Sequence, residues 1–455
     1  MERIQKLGKD QKVQIKLSDH FDYKRLLRFV LPSIIMMIFT SIYGVVDGLF
    51  VSNYVGKTPF AALNLIMPLL MMLGALGFMI GTGGNAIVAK SLGEGKREKA
   101  NEYFSMLVLV TVFGGILLSV VGQIFLPLIA RLLGAENEML KNCILYGRIL
   151  LVSLPAFMLQ NVFQSFLVTA EKPKLGLFIT VAAGVTNIVL DFLFIAVFHW
   201  GLAGAAIATA MSETVGGVVP LLYFIRKNSS LLRLTRTKFN GRILAKTCIN
   251  GSSELMTNIS MSLVNMLYNF QLMRIAGENG VAAYGVIMYV NFIFVAIYIG
   301  YSIGSAPIIG YHYGAGNTEE LKNLFGRSLK LVGVFGIILA ALAELLAFPL
   351  TKLFVGYDRE LFSLTCHGFR IYALAFLING FNIFGSAFFT ALSNGVISAV
   401  ISFLRTLLFQ VSAVLLLPIF LGTDGIWLAI VAAEVMALVV TITFWIKEKG
   451  RYHYI

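Results

Sequence analysis

Seven ionisable side chains stand inside apolar stretches of this sequence: Asp47, Asp191, Glu213, Glu254, Glu344, Arg405 and Glu434. A charge at the centre of a hydrocarbon layer costs at least ~2.5–3.5 kcal/mol, so each calls for a partner or a task. Glu344, near the end of its run, can snorkel to water. The others gather polar company at helical spacing, where residues three or four apart share a face. Asn187 lies on the face of Asp191, Tyr43 on that of Asp47, Thr209 on that of Glu213, and Asn161 shares a face with Gln164. Two carboxylates, two amides and a hydroxyl can thus meet in one cleft. Two carboxylates in a low-dielectric cleft cannot both stay charged cheaply, and they titrate as a unit. That is the chemistry of a proton carrier. The same oxygens would equally suit Na⁺, a hard cation, at Asp47, Asn187 and Asp191. Glu254 follows Ser252 and Ser253. It is either a cation-attracting carboxylate facing a cavity or an acid favoured by a helix N-terminus. Arg405 has Glu434, on the neighbouring run, as its candidate partner.

The elements that position these groups follow from composition. Of 455 residues, 58% are hydrophobic and only 13% charged, and mean hydropathy is +0.83. A soluble fold of this size cannot hide so much apolar surface. A soluble enzyme, a secreted disulfide scaffold and a disordered chain are thereby excluded. The net charge of +13 sits in the loops between apolar runs, which is a topology signal rather than a nucleic-acid footprint. Cys143, Cys248 and Cys366 lie in or beside apolar runs and read as packing residues. No phosphate-binding glycine loop, histidine metal pattern or nucleophile triad is present. No catalytic residue, cofactor or firm metal site is therefore expected, and the chain does not read as an enzyme.

Twelve runs are long enough to cross a bilayer, which takes ~20 residues: 27–50, 60–85, 104–130, 144–168, 176–198, 203–225, 248–273, 282–308, 329–350, 368–392, 398–420 and 426–446. The fold class is an all-α polytopic membrane protein. Residues Met1 to Arg28 are too long and polar, and the first run too long, for a cleavable signal. With the N-terminus in the cytoplasm, roughly 27 basic residues fall inside and about eight outside. Both termini are therefore expected to be cytoplasmic.

The chain reads as a duplication. A shift of 221 residues pairs Gly83 with Gly304, Gly93 with Gly314, Gly147 with Gly368, Asn161 with Asn382, Ser165 with Ser386, Thr169 with Thr390 and Glu213 with Glu434. Six spans per repeat return the chain to the same side, giving parallel repeats around a central cavity, the plan of a transporter whose lobes rock about a midplane site. The expected organisation is a tail over 1–26, an N-lobe over 27–225, a basic linker over 226–247, a C-lobe over 248–446 and a tail over 447–455. Under the same shift Asp47 meets Tyr268 and Asp191 meets Ser412. Acids found in one lobe only point to function. Glu213 and Glu434, present in both, point first to lobe architecture. The 36 Phe and 17 Met would suit a cavity that repacks around apolar cations.

The run Tyr43-Gly-Val-Val-Asp47-Gly-Leu-Phe-Val51, with Gly93-Glu-Gly-Lys-Arg-Glu98 and Glu171-Lys-Pro173, resembles the multidrug and toxic compound extrusion (MATE) family, in its DinF-related, MepA-like bacterial branch. The resemblance covers about Asp22 to Lys447. It implies cation-coupled antiport, with H⁺ or Na⁺ entering as an organic, mostly cationic and amphiphilic compound leaves. It further implies a coupling site at Asp47, Asn161, Asn187, Asp191 and Thr209, and a helix bend at Pro32. Tyr43, Gln164 and Glu254 would border the substrate path. Where another branch of the family carries an acid on span 10, this chain has Asn379 and Asn382. The expected partners are drug-like cations and membrane lipids, with no nucleic acid, and the expected state is a monomer in the bacterial cytoplasmic membrane. The rival reading is a flippase for lipid-linked precursors or polysaccharides, which would want a basic cavity for pyrophosphate. Arg148 and Arg370 at span starts keep that rival open.

Overall fold

The computed structural model describes residues 15–455; the first fourteen residues of the expected tail lie outside them. The N-lobe consists of α1 (Tyr23–Tyr54), α2 (Lys57–Gly93), α3 (Arg97–Leu132), α4 (Asn137–Thr169), α5 (Pro173–Asp191) and α6 (Gly201–Ile225). A wide π-helical turn, Phe192–Val197, prolongs α5. The helical stretch Gly241–Gly314 holds 74 residues. Straight, it would run ~110 Å, several times a bilayer. It breaks at Gly277, whose φ of 63° favours glycine. Two arms result, α7 (241–276) and α8 (278–314). They fold back on each other, with Tyr268 stacked on Tyr284 at 4.9 Å and the Tyr284 hydroxyl donating to Asn265. The C-lobe continues with α9 (Thr318–Val355) and α10, whose halves Arg359–Ala373 and Phe376–Ala391 meet at 47°. Next comes α11, Gly395–Phe403 and Gln410–Leu421 around a second π-helical turn, Leu404–Phe409. Last is α12 (Thr423–Tyr452).

These are the twelve expected spans, six in each lobe. Their ends run past the apolar runs, because polar caps and loop packing extend helices beyond the hydrocarbon. Thus α7 starts at Gly241, where the Asn240 side chain accepts from the Ile243 N–H. The linker is correspondingly 226–240. It lies along α3, with the Asn101 side chain accepting from Arg233 N–H and Ser105 Oγ from Thr235 N–H. Buried Pro32 sits inside α1, which stays helical through it. Phe113, Ile124 and Leu345 on the outer faces of α3 and α9 are among the large apolar side chains left exposed, as a lipid-facing surface requires.

The lobes meet most closely on the side of the termini. A Cβ placed on Gly93 of α2 would lie 1.9 Å from the Tyr311 carbonyl of α8. A Cβ on Gly314 would lie 2.1 Å from the Lys90 carbonyl. Only glycine permits that approach, as small residues do between membrane helices generally. Residues 15–22 strap the same side. Leu17 donates its N–H to Glu171, between α4 and α5. Phe21 N–H and the His20 ring meet Glu320 on α9. Leu17 and Phe21 are fully buried. Burial pushes the Glu171 carboxyl above the ordinary carboxylate range, and the Leu17 N–H pulls it back.

Candidate ion and substrate sites

Two polar regions lie within the spans. The first is enclosed in the N-lobe. Asp47 on α1 is 7% exposed and Asp191, at the end of α5, is fully buried, so water reaches neither freely. Their carboxyl groups face each other. Glu213 on α6 adds a third acid within electrostatic reach of Asp47 and accepts from Ser153 Oγ at 2.5 Å. Two tyrosines border this group: the Tyr43 hydroxyl faces Gln160, and the Tyr146 hydroxyl faces Thr209. Among the described residues, none of the three carboxylates has an ion-pair partner.

Several hydrogen-bonding atoms in this cluster are left unpaired. Both oxygens of Asp191, Asp47 Oδ1, Asn187 Oδ1, Gln164 Oε1 and Thr209 Oγ1 lack hydrogen-bond partners among the described residues. Unpaired buried acceptors are costly, and a set of this kind suits a proton or a hard cation. Asn161 differs from its neighbours. It is buried, but its Nδ2 donates to the Gly74 carbonyl of α2 at 3.2 Å, so its amide ties α4 to α2. The π-helical turn begins immediately after Asp191, and such turns are frequent at functional positions. Ser153, Gln160 and Tyr146 escaped the sequence reading. Helix spacing alone could have flagged Ser153, which faces Glu213 from another span, only if the α4–α6 packing were known.

The second region is a cavity of about 350 Å³ between the lobes. The C-lobe supplies most of its wall, including Glu254, Met261, Tyr268 and Arg405, while Met37 and Phe78 contribute from the N-lobe. Of the three residues expected along a substrate path, Glu254 lines this cavity, and Tyr43 and Gln164 are not in its wall. Arg405 does pair with Glu434: its Nε lies 2.8 and 3.0 Å from the two carboxylate oxygens. Asn382 donates to Glu434 Oε2 at 2.7 Å and accepts from Thr441 at 3.0 Å. Asn379, with its amide nitrogen turned to Glu434, donates to Oε1 at 3.1 Å. Glu434 is fully buried, and this shell accounts for both its oxygens. Glu344 sits away from these regions, half exposed and 3.8 Å from Arg370.

The family model described as MatE matches twice, over residues 32–193 and 255–415, one match per lobe. A protein named multidrug export protein MepA, from Staphylococcus saprophyticus, is 22% identical over 431 residues, covering 91% of this chain and 92% of its own. Its namesake from Staphylococcus haemolyticus is 23% identical, with 91% of each chain covered. Among solved structures, one described as the outward-facing conformation of a multidrug resistance MATE family transporter of the MOP superfamily superposes with a TM-score of 0.91. It is 23% identical and covers 98% of this chain and 99% of its own. A MOP superfamily transporter from Pyrococcus furiosus, for which reverse polarity of the binding pocket is described as suggesting a different function, superposes at 0.88. It too is 23% identical, over 95% of this chain and 97% of its own.

Proposed function

Since this chain belongs to the MatE family of membrane transporters, we propose that it is a multidrug exporter working by cation-coupled antiport across the bacterial cytoplasmic membrane. H⁺ or Na⁺ is the coupling ion, and organic, mostly cationic and amphiphilic compounds are the cargo. The observation that carries this reading is the facing pair Asp47 and Asp191, buried and without a protein cation among the described residues. Such a pair has to exchange charge with something mobile. Asn187, Thr209, Gln164 and Tyr43 supply the surrounding polar groups, and Asn161 fixes α4 behind them.

The separate cavity supports cationic cargo. Its wall holds Glu254 and Glu434 against one cation, Arg405, which Glu434 already neutralises. Glu254 therefore sets the sign of the remaining charge. A pyrophosphate-bearing lipid would want the reverse, which weighs against the flippase reading. With cytoplasmic termini, the glycine seal would lie on the cytoplasmic side, as an outward-facing exporter requires. Energetics then constrain coupling. One charge crossing 100 mV supplies ~2.3 kcal/mol, roughly a fifty-fold gradient. One-for-one exchange of H⁺ for a monocation moves no net charge and would draw only on the pH difference.

Uptake of ethidium into proteoliposomes under an imposed H⁺ or Na⁺ gradient tests this. Accumulation under one gradient, absent in Asp191→Asn, is the expected result and names the ion. Undiminished accumulation by folded Asp191→Asn protein removes the assigned role, and no transport under either gradient favours lipid-linked cargo.

A further inference from the structure

The duplication places Arg405 opposite a revealing residue. The shift that overlays Glu213 on Glu434 and Asn161 on Asn382 overlays Gly184 on Arg405. In the N-lobe, the space at Gly184 is taken by rings: a Cβ there would lie 2.4 Å from Phe39 and 2.9 Å from Tyr43. In the C-lobe the same position sends a guanidinium to the buried carboxylate. The two lobes thus share one acid, Glu213 or Glu434, and differ in what neutralises it. Around Glu434 stand Asn379 and Asn382 from α10 and Arg405 from α11, each in contact with it. Tyr372, Tyr298 and Tyr268 lie within its electrostatic reach from α10, α8 and α7. Glu254 on α7 faces Arg405.

We propose that Arg405 is a tethered counter-cation. It fills, by covalent attachment to α11, the monovalent-cation position that the C-lobe builds around Glu434, Asn379 and Asn382, and so leaves ion exchange to the N-lobe. Arg405 suits this task because its charge is permanent and its planar fork matches a carboxylate. The shell around Glu434 is complete with it and would be one positive charge short without it. A buried carboxylate that loses its one ion-pair partner among the described residues must take up a cation or a proton. The inference rests on the reading of this chain as cation-coupled, but its test counts bound cations and needs no transport.

The experiment compares wild type, Arg405→Gln, Arg405→Lys and the double variant Arg405→Gln/Glu434→Gln as purified full chains. Binding of ²²Na⁺ is counted per molecule. Protonated carboxyl groups are counted from the infrared C=O stretch at neutral pH. Arg405→Gln is expected to gain one bound Na⁺ or one protonated carboxyl relative to wild type. The gain should vanish in the double variant and be absent in Arg405→Lys. No gain in either readout from folded Arg405→Gln overturns the proposal, as does a gain that survives Glu434→Gln. Where Arg405→Gln is too unstable to purify at neutral pH, its unfolding temperature decides: it should rise with Na⁺ or with acid, by mass action on the vacated position, while that of the double variant should not. An unresponsive unfolding temperature also overturns the proposal. Should wild type hold neither bound Na⁺ nor a protonated carboxyl while Arg405→Gln gains one, the coupling role of Asp47 and Asp191 fails and the assignment of Arg405 stands.

Discussion

The N-lobe and the C-lobe solve the same electrostatic problem in opposite ways. In the N-lobe, three acids from α1, α5 and α6 approach one another with no protein cation to balance them among the described residues. In the C-lobe, one acid is held by an arginine and two amides. A buried ion pair of the second kind is costly to break from one side and nearly neutral to replace whole. An unbalanced cluster of the first kind changes its occupancy readily. The difference teaches that the two repeats keep an acid at the same place, Glu213 and Glu434, while the charges around it differ; on the proposed reading, that is why the N-lobe cycles an ion and the C-lobe does not.

That contrast can be broken in several places. The largest effect is expected from Asp191→Asn, which should abolish gradient-driven ethidium transport while leaving membrane insertion intact; retained transport would mean that the N-lobe cluster does not cycle. Next comes a paired stability measurement in detergent. Glu434→Gln should cost about 3–5 kcal/mol, because it removes the carboxylate that holds Arg405 by two close contacts. Glu213→Gln should cost less than about 1.5 kcal/mol, the value of a hydrogen bond such as that from Ser153. Equal costs would erase the distinction between the lobes. Gly93→Leu should cost about 1–3 kcal/mol through overpacking and shift inter-lobe distances on the terminus side, read by spin-label pairs. An unchanged distance distribution would show that the seal is looser than its geometry implies. Glu254→Gln should weaken a monocationic substrate by about 1 kcal/mol, roughly fivefold, and spare a neutral one. An equal loss for both would assign Glu254 to packing. Finally, Glu344→Gln should change stability by no more than about 0.5 kcal/mol, since its contact with Arg370 is exposed.

Much of the fold was legible in the sequence because membrane insertion writes itself locally. Twelve apolar runs and a constant 221-residue shift need no knowledge of packing. The acids Asp47 and Asp191 stood out for the same reason: each is a charge in an apolar run without a counterpart in the other repeat. Partner identity was less accessible. Asn161 shares a face with Gln164, yet its amide is committed to Gly74, a contact set by how α4 lies on α2. Ser153 and Tyr146 reach the acid cluster from α4, where spacing along α6 or α5 could not reveal them. The break at Gly277 had a sequence signal, since Arg274, Glu278 and Asn279 flank it with polar groups between two apolar runs.

The seal between the lobes also carries a history. Lys90 and Gly93 touch Gly314 and Tyr311, and a shift of 221 turns each member of that contact into the other. Residue i meets j while j meets i, the mark of an isologous interface between two copies of one chain. A six-helix half, standing alone, would already have possessed both faces of this contact. Fusion into one chain did not have to invent the joint on which the lobes close; it had only to join partners that could already pair, and then let their interiors drift apart.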